Sequence, residues 1–210
     1  MRSLPFLLTL TATFMSSVAH AGAPVVATTT DVTGRVFISS PENGAFLPLK
    51  KGYPLTADQK LAPLAGTHAK LAMGSLSIDV PAQTEVMLGA MSPATAKDPA
   101  GYGVKLDRGA LRVFAPKGTK DRIAIHTPVG LVHLAPSATA DSTLLVEVRV
   151  DGTTSASIDG CCATLSTQGG KVDLKGTNLL SIATSSIAVP AAPVQAPEAW
   201  LAELKKTMGK

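Results

Sequence analysis

From Asp31 onward the chain alternates apolar and polar residues over short stretches, and Gly, Pro, Asn and Asp punctuate the stretches every few residues. A period of two over four to eight residues is the signature of half-buried strands, not of helices. The pattern predicts strands over 32–38, 47–49, 69–73, 76–80, 84–88, 104–106, 110–114, 122–127, 131–134, 144–150, 155–158, 163–166, 171–174 and 179–182. Gly74-Ser75 separates two of them and predicts a tight hairpin. Asp107-Arg108-Gly109 reads as a second hairpin turn, and residues 89–103, rich in Gly, Pro and Ala, read as a long mobile loop. So many short strands imply an all-β fold, either a β-sandwich or a solenoid-like stack, since both give the same alternation. No G-x-G-x-x-G and no βα rhythm is present, which disfavours nucleotide-binding folds.

Both ends depart from the pattern. Arg2 is followed by an apolar run from Phe6 to Met15 and then by Ala19-His20-Ala21. Charge, apolar core and an A-x-A site are the three parts of a secretory signal, so cleavage is expected after Ala21. A membrane anchor is the alternative, but the run is shorter than the ~20 residues that span hydrocarbon. The expected compartment is therefore the periplasm or the exterior, with no membrane span in the mature chain. Residues 22–30 read as a flexible lead, 31–187 as the β domain and 188–197, with three prolines, as an extended linker. Residues 198–208 then change period: Trp200, Leu204 and Met208 fall at i, i+4 and i+8, a helical stripe. Three turns are marginal alone, so this short C-terminal helix must dock, either on its own domain or on a partner.

Composition sharpens the picture by exclusion. Of 210 residues 45% are hydrophobic and 16% charged, enough apolar content for one buried core. Lys plus Arg number 19 against 15 Asp plus Glu, without a basic block, which argues against nucleic acid. Aromatics are 4%, too few for stacking platforms.

Candidate chemistry is sparse. His126 and His133 straddle a Thr-Pro turn and could meet across a hairpin, but a zinc or copper site needs three or four ligands, and two ordinary sheet histidines is the simpler reading. Cys161-Cys162 is the sole cysteine pair. Adjacent α-carbons sit about 3.8 Å apart, below the usual disulfide span, so a vicinal bridge would strain the backbone. Inert thiols and an intermolecular bridge stand beside it. No serine occupies a nucleophile elbow, Ser92 and Ser137 read as loop residues, and the Asp79 and Glu85 carboxylates read as a solvated face. Neither an enzyme nor a cofactor is expected.

Taken in order, the segments resemble the FecR domain. The Gly-Val opening strand is matched by Val32-Thr33-Gly34-Arg35-Val36, and a later Ala/Leu/Ser/Ile/Val/Thr pattern by Thr67–Leu71, Ile78–Val80 and Thr84–Val86. A Gly-x-Leu-x-Val strand followed by a strand ending in Thr-Pro is matched by Gly109–Val113 and Ile123–Pro128. The closing Gly-x-Val and Gly-Gly-x-Val-x-Leu elements are matched by Gly160–Leu165 and Gly169–Leu174. Where family members carry Gly-Thr after Thr-Pro, this chain has Leu134-Ala135-Pro136-Ser137-Ala138-Thr139. The resemblance covers residues 31–187 and implies a β-rich module outside the bacterial cytoplasm. In well-known relatives that module is the periplasmic part of a regulator that controls a sigma factor. They also carry a cytoplasmic anti-sigma segment and a transmembrane helix, which no stretch here matches. A stand-alone binding or scaffolding module is expected, its partner an envelope protein or cell-wall component, with the 89–103 loop and Trp200, Leu204 and Met208 as contact surfaces. The alternative is an accessory of sigma/anti-sigma signalling.

Overall fold

A computed structural model describes residues 24–39, 44–95, 98–135, 137–175, 178–182 and 194–195. The described chain is all-β. The first strands are β1 (Val25–Thr33), β2 (Val36–Ser39), β3 (Phe46–Pro48), β4 (Pro54–Thr56) and β5 (Lys60–Pro63). Next come β6 (His68–Met73), β7 (Leu76–Val80), β8 (Glu85–Ser92) and the long β9 (Gly101–Ala115). The remainder are β10 (Arg122–Thr127), β11 (Gly130–Ala135), β12 (Ser142–Val148), β13 (Thr154–Asp159), β14 (Cys162–Thr167), β15 (Gly170–Lys175), β16 (Asn178–Ile182) and β17 (Val194–Gln195). The region from residue 198 on, where the sequence predicts a helix, lies outside the described residues.

Strand pairing sorts these elements into two sheets. The first runs β4-β1-β6-β7-β9-β12-β13-β16-β17. The second runs β3-β2-β5-β8-β9-β10-β11-β14-β15. From β6 onward each sheet grows in chain order, because successive hairpins are dealt alternately to one sheet and then to the other. The inward residues of both sheets share one core, with Leu71, Ile78, Leu106, Val113, Ile125, Leu144, Ile158 and Leu165 all 1% exposed or less. Sandwich and stack, which the alternation could not separate, are thus two descriptions of one arrangement: two facing sheets that lengthen along a common axis.

The strand β9 joins them. Its first half pairs with β8 and, in parallel, with β10; its second half pairs with β7 and β12. The inward positions are Tyr102, Val104 and Leu106 before the crossing and Leu111, Val113 and Ala115 after it, a one-residue change of phase. A bulge provides it: Val86 faces Leu106 and Glu85 faces Arg108, so Asp107 is the extra residue. Gly109 turns the chain at φ 96°, a conformation that side chains other than glycine's rarely adopt. The sequence reading of 107–109 as a hairpin turn is corrected here. The same three residues carry one continuous strand across the layers, since a phase break looks alike in both cases.

Other departures are local. Gly34, at φ 75°, divides the single strand expected over 32–38 into β1 and β2, and pairing already begins at Val25. The short strands β4 and β5 had no alternation long enough to be seen. The loop expected over 89–103 shrinks at both ends, because β8 runs on to Ser92 and β9 begins at Gly101. The hairpin between β6 and β7 is as expected. Only the first of its two central residues, Gly74, has positive φ, the pattern of a type II′ turn. Its tip is tied down by Ser75, whose amide and hydroxyl both donate to Asp121 Oδ2 at 2.8 and 2.7 Å.

Candidate functional site

Where β9 leaves one sheet for the other, the neighbouring strands end and a cleft of about 820 Å³ opens. Its walls are the turns after β5, β7 and β12, and Thr84, Gly109 and Ala110 form its floor. Thr84 is 1% exposed, and its hydroxyl oxygen accepts from the Ala110 amide at 3.3 Å and donates to the Ala110 carbonyl at 3.2 Å. Gln83, beside it, is held at φ 59° with its amide donating to the Pro63 carbonyl at 3.0 Å. A non-glycine residue in this region of backbone space costs free energy and is kept only where its surroundings impose it.

Two guanidinium–carboxylate pairs line the cleft. Arg108 Nη2 lies 2.6 Å from Glu85 Oε1, and Arg149 Nε lies 3.9 Å from Glu147 Oε1. Arg108 and Glu85 sit half-exposed, so solvent screens them and the pair adds little to stability, on the order of 0–1 kcal/mol. Planar guanidinium forks held at a cleft wall are suited to carboxylate or phosphate recognition. The rim is apolar, with Leu64 48% and Val150 88% exposed. Past Val150 the turn is set by Asp151, which accepts from the Thr153 amide at 2.8 Å; that bond holds the Asp151 carboxyl below its ordinary range.

The residues singled out in the sequence lie elsewhere. His126 and His133 share the outer face of the second sheet, on a diagonal of the β10–β11 ladder. Burial first, and then the His126 and Lys171 charges, push the His133 imidazole below its ordinary value. Cys162 belongs to the same face on the next strand, β14, opposite Ala135 of β11. Among the described residues no three His, Cys, Asp or Glu side chains come together to hold a metal. Cys161 and Cys162 are half-buried free thiols. The hydrogen bond with the Cys161 side chain, followed by burial, raises the Cys162 thiol above its ordinary value, the opposite of what an activated nucleophile needs.

Asp79 and Glu85 do not face each other. Asp79 lies in the first sheet beside Arg112, at 3.7 Å, and Glu85 in the second beside Arg108. Ser137 is 7% exposed, and its hydroxyl accepts from the Thr139 and Ala140 amides, which makes it a turn former. Trp200, Leu204 and Met208 lie outside the described residues. Of the residues that build the cleft, Glu85 was read from sequence only as part of a solvated face, and Arg108, Glu147 and Arg149 were not read as a site. The Glu85–Arg108 pair depends on register between β8 and β9, and Glu147 and Arg149, two residues apart, gain their place only from the cleft around them. The one local signal was the broken alternation at Asp107-Arg108-Gly109.

No protein-family model matches the chain, and no curated protein matches it. Among solved structures it is similar to a proposed anti-sigma factor from Parabacteroides distasonis, with a TM-score of 0.51 and 12% identity. The match covers 68% of this chain and 64% of that one. At this identity the likeness is one of fold. Among the described residues no helix is long and apolar enough to cross a membrane.

Proposed function

We propose that the chain is an exported, FecR-like, non-enzymatic module of the bacterial envelope that binds a protein or cell-wall component through the cleft beside the β9 crossover. The cleft carries this reading. It combines an apolar rim, paired charges and a strained Gln83 backbone at the place where the two sheets part, features of recognition surfaces on rigid scaffolds. The N-terminal signal and the FecR-like motif order support the compartment and the family. The test compares capture of partners from envelope extracts by the native chain and by Arg108→Glu, which reverses one wall charge without touching the core. Loss of the same partners with the variant supports the cleft, and equal recovery removes it. Intact mass of the periplasmic protein checks the compartment, with a chain beginning at Gly22 expected.

A second reading, an accessory role in sigma/anti-sigma signalling, is favoured by the fold it shares with the Parabacteroides distasonis protein. Deleting the gene should then change expression of an uptake operon, and an unchanged transcriptome would count against it.

A further inference from the structure

The outer face of the first sheet is divided in two. Towards β6, β7 and β9 it is ordinary sheet surface: Arg112 is 34% exposed at its side chain and Phe114 36%, while Lys70, Ala72 and Ser77 are half-buried. Across β12 and β13 the same face is closed off. Register places Leu145 opposite Ser157 and Glu147 opposite Ser155, pointing away from the core that holds Leu144, Val146, Ala156 and Ile158. Yet Leu145 is 4% exposed and Ser155 and Ser157 are 2% exposed each. Alternating strands bury one face and leave the other to water, so β13, buried at five consecutive positions, has the burial of a strand covered on both sides. The face is also poor in free polar groups, since Ser155 donates to the Ser181 hydroxyl at 3.0 Å. The β12 and β13 strands make their main contacts with sheet neighbours and, for β13, with β14 and β15 of the facing sheet. None of these strands lies over Leu145.

We infer that the chain's own C-terminal segment, residues 198–208, docks on this face with Trp200, Leu204 and Met208 against Leu145, Ser155 and Ser157. Position and length support it. The last described strand, β17, is the edge of this same sheet, and the row through Ser157 continues to Leu179 and Val194. From β17 to β13 is two strand spacings, about 10 Å. Extended residues after Gln195 cover ~10 Å, and a helix over 198–208 spans ~16 Å, enough to lie across β16, β13 and β12. An apolar stripe that is marginal alone thus meets a buried small-residue face that no strand among the described residues covers. The inference is independent of the cleft, which lies at the end of the sheets.

Trp200 is the chain's only tryptophan, so its fluorescence reports on the segment directly. In the mature protein, Trp200 should be quenched by acrylamide several-fold less than in a peptide of residues 196–210. Ser157→Arg, on the outer face, should restore peptide-like quenching, and Ser77→Arg, on the open half of that face, should not. Quenching equal to the peptide's in the unaltered protein overturns the inference, as does shielding that Ser157→Arg leaves intact. Shielding that is lost on dilution assigns the face to a second copy instead and also overturns it. A measurement that needs no variant is a nuclear Overhauser contact between the Leu145 methyls and Trp200, Leu204 or Met208. Its absence in the folded protein counts against the docking.

Discussion

Substituting Gly109 by Ala tests the crossover on which both sheets and the cleft depend. The residue sits at φ 96°, and an added Cβ would lie 2.6 Å from both Thr84 Cα and Thr84 Oγ1 and 2.9 Å from the Gln83 carbonyl oxygen. Two costs follow. The backbone conformation costs an alanine roughly 1–3 kcal/mol, less about 0.4–1 kcal/mol returned because alanine restricts the unfolded chain. The contact must also push Thr84 away from Ala110, and a buried polar group left without its partner costs about 1–3 kcal/mol. Together these predict a loss on the order of 2–5 kcal/mol. Gly118 provides the control: its φ is 78°, and nothing lies within 4 Å of an added Cβ, so Gly118→Ala carries only the conformational part. Urea unfolding of the unaltered chain and both variants, analysed at a common m-value, measures the difference. If Gly109→Ala costs no more than Gly118→Ala, the packing of the crossover against Thr84 is refuted.

Three further outcomes are expected. Ile158→Ala, at a position fully buried between the sheets, should lower stability by about 2–5 kcal/mol, whereas Val150→Ala on the cleft rim should stay within ~0.5 kcal/mol in the same denaturation assay. The His133 imidazole is held below its ordinary value, so the unfolded chain binds its proton more readily. Its neutral form stabilises the fold above the ordinary histidine range, and that contribution declines as pH falls from there towards the lowered folded value. Lys171→Ala should move the His133 titration upward by NMR, and an unmoved curve would remove Lys171 as a cause. Cys162 should react with iodoacetamide slowly at neutral pH and faster in Cys161→Ala, because the neighbouring thiol is the first cause of its raised value; equal rates by mass spectrometry would contradict this.

The parts of the fold legible in the sequence are those where one residue in two faces the core. Ala69-Lys70-Leu71-Ala72-Met73 and Leu76-Ser77-Ile78-Asp79-Val80 alternate without a break, and the structure buries Ala69, Leu71, Met73, Leu76, Ile78 and Val80 while leaving the residues between them half-buried. Legibility fails where alternation fails. The strand β13 was legible as Ser155-Ala156-Ser157-Ile158, but its small polar residues do not announce that they too are buried. Pro54–Thr56 is too short to carry a period. Asp107-Arg108-Gly109 satisfies the chemistry of a turn although the chain runs straight on between layers. The cleft was illegible for another reason: Glu85 and Arg108 are 23 residues apart, and only the β8–β9 register brings them together.

The alternate dealing of hairpins bears on how the molecule is assembled. After β9, each described strand lies beside one that precedes it in the chain, and the last to be placed are the sheet edges β15 and β17. Nothing early therefore waits for something late. A polypeptide delivered amino end first can set down each hairpin on a surface already finished, so that long-range closure, the slow step of many β proteins, is replaced by a succession of short ones. The same logic makes the molecule extensible: a hairpin could be added to or removed from its carboxyl end without disturbing the registers laid down before it.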